Sequence, residues 1–453
     1  MIRCILWILV GIIMVGCQKS EQFTSSGVPI ITPTGNEKYL TEDSEILFHQ
    51  DSFYRFDITI PERALAFIDN NPKAEQYVDA SLTFRGETIS PIGIRYKGSG
   101  GAFAEGLEDG GILQPASKVG TKLSMKIKID WDHHHHTEFY GQEKVQLHAM
   151  NLDKSQMRDR LGYWLFGQMD VPAPRATHAK VYINGNYSGV YALVEQIDEA
   201  FVERHYTNHK GNLYKEVWPL TSNNKSRSIS AYYKALRTNE HAGVRAQLIH
   251  QFGEELEASS DLTSLHNTIE DYMVLDEIIR YIVVDRTIRN DDGAFHWYCN
   301  NLTGLCKPHN FYWYENPSTQ KVHLIPWDLD HAFENIRQQV HDITVIVNPW
   351  NEKPSSCEPF LYNDIGYKQR PAYCDKLTQG WASYTSELAQ AKARFITGPF
   401  SQQSVHGQLD KWTAQIRAAT EEAALLHDDA PTLSEWENGL QLLKDRADYA
   451  RTN

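Results

Sequence analysis

Two alternating runs, Thr177–Ile183 and Ser188–Glu195, flank Asn184-Gly185-Asn186. No other feature constrains the chain as much. Alternation at a period of two marks a half-buried strand, and Asn-Gly supplies the positive backbone angles that a tight hairpin turn needs. The segment therefore predicts antiparallel sheet. Phe53–Ile60 alternates in part, and Val78–Arg85 and Ile92–Lys97 read as strands joined around Gly86. In Leu123–Asp130 the apolar Leu123, Met125, Ile127 and Ile129 oppose Lys122, Ser124, Lys126 and Lys128, giving one apolar and one cationic face.

Helical periodicity dominates the rest. Pro61 opens a short helix. Asp153–Met169 predicts a longer one, with Asp153 and Gln156 as a capping box and Met157, Leu161, Trp164, Leu165 and Gln168 on one face. Residues 228–288 and 380–450 read as mainly helical, separated by a second hairpin of Phe311–Tyr314 and Val322–Pro326. A β-rich first part followed by a mainly helical second part makes the fold class α+β, expected as two lobes with a cleft between them.

The 453 residues carry 44 Lys and Arg against 58 Asp and Glu, a net charge of −14, which argues against phosphate-driven nucleic-acid binding. Residues 1–17 read as a leader: Arg3, an apolar run from Cys4 to Val15, then Gly16-Cys17. Met14-Val15-Gly16-Cys17 is similar to a bacterial lipobox, so Cys17 is the expected lipidation site and membrane anchor; an ordinary secretory signal is the alternative. Gln18 is compatible with outer-membrane sorting, and residues 18–45 read as a linker. The expected location is the bacterial cell envelope, as an exported lipoprotein facing the periplasm or the surface. Four further cysteines in an exported chain predict disulfides, and Cys299–Cys306 with Cys357–Cys374 closes the shortest loops.

Candidate chemistry clusters in five places. In His323-Leu324-Ile325-Pro326-Trp327-Asp328-Leu329-Asp330 an apolar strand runs into two carboxylates, about 7 Å apart along an extended chain. Such acids repel unless a cation neutralises them, and hard Mg2+ takes one or two carboxylates with phosphate oxygens and water. A helix cap with a salt bridge is the structural alternative. Arg289-Asn290-Asp291-Asp292-Gly293 sets carboxylates on a loop after a helix, suited to a base but equally to ordinary turn chemistry. His309-Asn310 offers a neutral metal ligand or a turn former. Arg95-Tyr96-Lys97-Gly98-Ser99-Gly100-Gly101 places small residues after a strand, where backbone N–H groups can approach phosphate. His133–His136 could bind Zn2+ or Ni2+, though a solvated polar tract explains them as well.

In order along the chain, IRYKGSGG (94–101), TKLSMKIKID (121–130), the long stretch 150–198, GNLYK (211–215), NDDG (290–293), HNFYWYE (309–315) and IPWDLDHAF (325–333) resemble the CotH kinase family. The resemblance implies an atypical protein-kinase-like fold, with a β-rich N-lobe over 46–210 and a mainly helical C-lobe over 211–453. It also implies phosphate transfer from ATP, with Mg2+ or Mn2+, to Ser or Thr of a protein acceptor. Carried over by position, Asp292 is the acid that orients the acceptor hydroxyl, and Asp328 binds Mg2+ with Asp330 and Asn310 as co-ligands. Lys126 is the phosphate lysine, with Lys122 as the alternative. Asp159 pairs with that lysine, Glu195 and Gln196 meet adenine, and Arg95, Lys97 and Gly98 belong to the phosphate loop. Three departures stand out: Gly100-Gly101 after Ser99, Glu334 where a glycine is common, and the 18-residue gap between Asp292 and Asn310. Transfer of AMP, ligation of an amino acid, and a non-catalytic binding lipoprotein on the same scaffold remain open. A paired-carboxylate hydrolase ranks low, since no G-x-S-x-G motif appears.

Overall fold

The computed structural model describes residues 28–98, 106–107, 117–133, 135–240, 247–290, 292–300, 303–334, 350–351, 353–361 and 368–452. The leader with Cys17, the glycines at 100 and 101, His134 and Asp291 lie outside them.

Seven strands close into a barrel: β1 (Phe53–Thr59), β2 (Val78–Phe84), β3 (Glu87–Tyr96), β4 (Met125–Lys128), β5 (Lys144–His148), β6 (Ala176–Ile183) and β7 (Asn186–Glu195). Their order is β1-β2-β3-β4-β5-β7-β6, closed by parallel pairing of β6 with β1. The expected hairpins are present. Asn184 and Gly185 take φ of 50° and 79° between β6 and β7, and Arg85 and Gly86 take 50° and 85° between β2 and β3. Alternation then sorts the side chains. Ile94, Tyr96, Met125, Ile127, Val145 and Leu147 fill the barrel, and the alternate residues Arg95, Lys97, Lys126, Lys128, Gln146 and His148 lie on its outer face.

The residues read as a linker are folded in part. Helices Lys38–Thr41 and Glu45–Phe48 dock on the barrel, Tyr39, Leu47 and Phe48 are buried, and the Tyr140 N–H donates to the Tyr39 carbonyl. Their apolar residues lack periodicity, so docking depends on the barrel rather than on local pattern.

Beyond the barrel come β8 (Leu213–Lys215), β9 (Trp297–Cys299), β10 (Cys306–Lys307), β11 (Phe311–Asn316), β12 (Lys321–Pro326), β13 (Phe360–Leu361) and β14 (Lys368–Arg370) among the helices. They form two small sheets, β12-β11-β8 and β10-β9-β14-β13. Disulfides join Cys299 to Cys306, which face each other across β9 and β10, and Cys357 to Cys374. Trp218 lies edge-on to Trp297, Phe311, Trp313 and Trp381, and its indole N–H donates to Asp375 (3.1 Å). That buried cluster fixes β11, and through it β12, whose end leads into Trp327-Asp328. Truncating such an aromatic to alanine costs about 3–5 kcal/mol.

The long helix begins at Arg158, five residues later than its sequence pattern suggests. Asp153 does cap it, but without Gln156: its carboxylate accepts from the N–H groups of Ser155, Met157 and Arg158. Gln156 takes φ 58° and instead accepts from Thr420.

Candidate functional site

The helix Arg158–Gln168 sits between the barrel's outer face and the chain that follows β12. Gly162 makes close approach possible, since a Cβ there would stand 2.8 Å from Leu329 Cδ1. With backbones so close, the helix holds the loop by its main chain. Asp159 Oδ1 accepts from the Leu329 N–H (3.2 Å), the Tyr163 hydroxyl accepts from the Asp328 N–H (2.9 Å), and Arg158 donates to the Asp330 carbonyl (3.0 Å). Arg158 also bridges Asp153 and Glu334, and Glu334 holds His331 (2.6 Å). Glu334 is thus a buried anchor for this loop.

The strand ends at Pro326, and Asp328 turns into the left-handed region at φ 56°. The chain is therefore not extended from Asp328 to Asp330 as the sequence pattern suggests; a turn sets the two acids. Left-handed backbone at a non-glycine residue costs energy, which the hydrogen bond from the Asp328 N–H to the Tyr163 hydroxyl helps to offset.

A small cavity is lined by Lys97, Gly98, Ser124, His148, Asp153, Asp159, Asp328 and Asp330, among others. It joins one lysine from the end of β3, one histidine from β5, one helix acid and three acids outside the helix, Asp153, Asp328 and Asp330. Lys97 Nζ donates to Gln146 Oε1 (2.6 Å) and meets His148 Nε2 (2.7 Å), and His148 Nδ1 lies 3.0 Å from Asp159 Oδ2. Trp327 floors the group, with Lys97 Nζ 5.2 Å from its ring centroid and the His148 ring edge-on at 5.8 Å.

Burial sets the electrostatics. It pushes the Asp159 carboxyl up to about 7, with Asp328 adding to the rise, and pulls His148 down to about 3, aided by Lys97. Lys97 falls to about 8 through burial, opposed by Asp328. Asp328 itself is raised by burial and by Asp330. Asp292, on the loop after the helix Leu275–Thr287, rises to about 6 through burial, opposed by His331. It also responds to Asp330 and Asp328, and it accepts from Asn310 Nδ2 (2.7 Å). His331 is held up at about 10: burial opposes its charge, but Asp330, Glu334 and Asp292 outweigh that.

The candidate residues divide accordingly. Lys97, Gly98, Asp159, Asp328 and Asp330 line the one cavity, and Asp292, which accepts from Asn310, is linked to it through the charges of Asp328 and Asp330. Lys126 stands beside it on β4, pulled down to about 7 by burial and by Lys97, Lys144 and Arg95. Lys122 turns away, its amine donating to the Val190 carbonyl (3.0 Å). Arg95 is occupied by Glu75 and stacks near Tyr77. Asp159 reaches His148, not Lys126 or Lys122. The Glu195 carboxylate is enclosed by Arg175 (2.8 Å) and Arg204, away from the cavity. Gln196 accepts from Gln146 (3.1 Å) and donates to the Ile197 carbonyl (2.9 Å). The described histidines of the 133–136 tract do not share a centre: His133 meets Asp130, His135 meets Asp132, and His136 lies buried against Tyr39 and the Ser90 carbonyl. Among the described residues, no three His, Cys, Asp or Glu side chains form a metal cage.

Sequence reasoning overlooked His148, Gln146, Tyr163 and Arg158. A signal for the first two exists in Lys144-Val145-Gln146-Leu147-His148, which alternates as a strand.

A family model described as CotH kinase protein matches residues 94–452, from within β3 to the last helix. Strands β1 and β2, which complete the barrel, precede that match. The inner spore coat protein H of Bacillus subtilis (strain 168) is 24% identical over 200 residues, 42% of this chain and 50% of that protein. An inner spore coat protein H-like protein of the same organism is 35% identical over 68 residues, 15% of this chain and 21% of its own length. The chain thus spans half or less of the curated relatives it matches.

Proposed function

The chain belongs to the CotH kinase family, and on that premise we propose that it is an ATP- and Mg2+-dependent phosphotransferase acting on Ser or Thr of an extracytoplasmic protein. One observation carries the reading: Asp159 and the Asp328/Asp330 pair line one cavity with Lys97, and Asp292, from a third segment, lies within the electrostatic reach of that pair. Such an order of parts along the chain is that of a kinase-like two-lobed enzyme, with the barrel in the place of the smaller lobe.

The donor set fits the metal. Asp328, Asp330 and the carbonyl oxygen of Asn310 are hard oxygen ligands, and the upward push on Asp328 from Asp330 is what a divalent cation relieves. When bound, Mg2+ or Mn2+ would neutralise phosphate charge. Lys97 would donate its remaining N–H to a phosphate oxygen, and Lys126, with Lys128 beside it, would attract the polyphosphate. Asp292, oriented by hydrogen bonds from Asn310 and Tyr298, would accept the hydrogen bond of the acceptor hydroxyl and align it for in-line attack. Gln196 supports Lys97 at one remove, through Gln146, whereas Glu195 is taken up by Arg175 and Arg204.

The location follows from the leader: export, lipidation of Cys17 and attachment to the envelope membrane, with a protein acceptor and no nucleic acid. Two disulfides support an oxidising compartment. The test is transfer of labelled phosphate from ATP to a Ser-rich protein, in Mg2+ and in Mn2+. Wild type should label the acceptor from γ-labelled but not α-labelled ATP, and Asp328→Ala and Asp292→Asn should not. Equal activity of wild type and Asp328→Ala refutes the site, whereas label from the α position makes the enzyme an AMP transferase.

A further inference from the structure

The helix carboxylate and the strand lysine do not touch. An imidazole fills the gap between them: Lys97 Nζ to His148 Nε2 is 2.7 Å, and His148 Nδ1 to Asp159 Oδ2 is 3.0 Å. The hydrogen-bond senses in this chain are fixed by counting donors and acceptors. Asp159 Oδ1 accepts from the Leu329 N–H. The Gln196 amide donates to the Ile197 carbonyl, so its oxygen accepts from Gln146, and the Gln146 oxygen is then the one that accepts from Lys97. An ammonium has only donors. His148 Nε2 must therefore accept, and the ring hydrogen sits on Nδ1, donating to Asp159. Two of the three Lys97 N–H groups are used, and no third partner exists among the described residues. His148 is only 5% exposed and wedged against Trp327, so it cannot swing clear.

We propose that His148 is a positioning residue: a neutral imidazole bridge that transmits the orientation of Asp159 to Lys97 and leaves one ammonium N–H for a nucleotide phosphate. The inference rests on the nucleotide reading above and deepens it. It makes the lysine's direction depend on three supports, Gln146, His148 and, one step removed, Asp159. Removing the bridge should leave Lys97 present but free to rotate toward Asp328 or solvent, which weakens phosphate binding without removing a charge.

The experiment is a double-mutant cycle on the full chain, reading ATP affinity from nucleotide-dependent melting shifts in Mg2+, together with kcat and KM. His148→Ala should weaken ATP binding about tenfold in the Lys97 background and hardly at all once Lys97→Met is present. His148→Gln, whose side-chain oxygen can still accept from Lys97, should recover part of the loss, and it substitutes for the alanine variant if that one fails to fold. Equal losses with and without Lys97, or no recovery by glutamine beyond alanine, overturns the bridge. If wild type shows no ATP-dependent shift at all, the nucleotide reading itself fails; if wild type shifts and the cycle is additive, only the bridge fails.

Discussion

The barrel has two cationic exteriors, and they are built on opposite principles. On β1 and β6 the cations are matched: Arg55 pairs with Asp57 (2.6 Å) and stacks 3.7 Å from the Tyr182 ring centroid, and Lys180 meets Glu422 of the helix Gln402–Leu426. On β3, β4 and β5 they are crowded and poorly matched. Arg95 has Glu75, Lys97 has only neutral partners, and Lys126 has neither hydrogen bond nor ion pair among the described residues. The same alternation makes both faces, so local structure does not distinguish them. The difference lies in what each face is for. A matched face joins helix to barrel; an unmatched, half-buried one stores unfavourable energy that an anion can release.

The sharpest way to break this comparison is to remove one lysine from each face. Lys97→Met should lower phosphate transfer by about 10²–10³-fold, the cost of losing one preorganised donor to a charge that develops in the transition state. Lys180→Met should leave transfer unchanged. Both can be followed by labelled-phosphate transfer, with melting temperature as the folding control. Similar losses in the two variants would mean that the pairing pattern carries no functional information.

A smaller effect with an unusual sign is expected at Lys126. Burial and three neighbouring cations hold it at about 7, below the 10.5 of the free side chain. Between these values the unfolded chain binds more protons than the folded one, so the contribution of Lys126 to stability rises as pH goes from about 7 toward 10 and is flat below 7. Lys126→Met should therefore raise the melting temperature of the nucleotide-free protein near pH 7, flatten its increase with pH, and reduce the stabilisation given by ATP. Calorimetry from pH 6 to 10, with and without ATP and Mg2+, checks all three. A variant that is less stable without nucleotide at pH 7 would show that this face is not under strain.

The two faces also show what could be read in the sequence and what could not. The β6–β7 hairpin and the alternation of β4 are local patterns, and both were legible: turn chemistry at Asn184-Gly185 and the run Leu123–Ile129 need no distant partner. The disulfides were legible because short loops close easily. Closure of the barrel was not, since β1 meets β6 across more than a hundred residues with no local mark of the pairing. The strand β5 was missed as well, and with it His148, because its outward residues acquire meaning only between Lys97 and Asp159. The motif acids were recognisable from resemblance and from their grouping, but their geometry was not. Asp328 and Asp330 are set by a left-handed turn that an extended-chain reading excludes, and Asp159 is aimed by Gly162 and Leu329, three residues along the helix and far along the chain. Matched and unmatched lysines look identical in the alternating pattern, since the acid that matches Lys180 lies 242 residues away.

That distant acid provides the smallest test. Glu422 is more than a third exposed and Lys180 about a quarter, so their contact is screened by water and salt, and such pairs contribute about 0.2–1 kcal/mol. Glu422→Gln should lower the melting temperature by at most a few degrees, less at 0.5 M salt than at low salt, with transfer activity intact. The tyrosines explain why the loss stays small. Lys180 Nζ also lies 4.8 Å from the Tyr187 ring centroid, and the Tyr187 hydroxyl donates to the Ala419 carbonyl (2.7 Å), so helix and barrel remain joined without the ion pair. If Glu422→Gln instead abolished transfer, the matched face would be part of the catalytic apparatus, and charge pairing would no longer separate the structural side of the barrel from the working one.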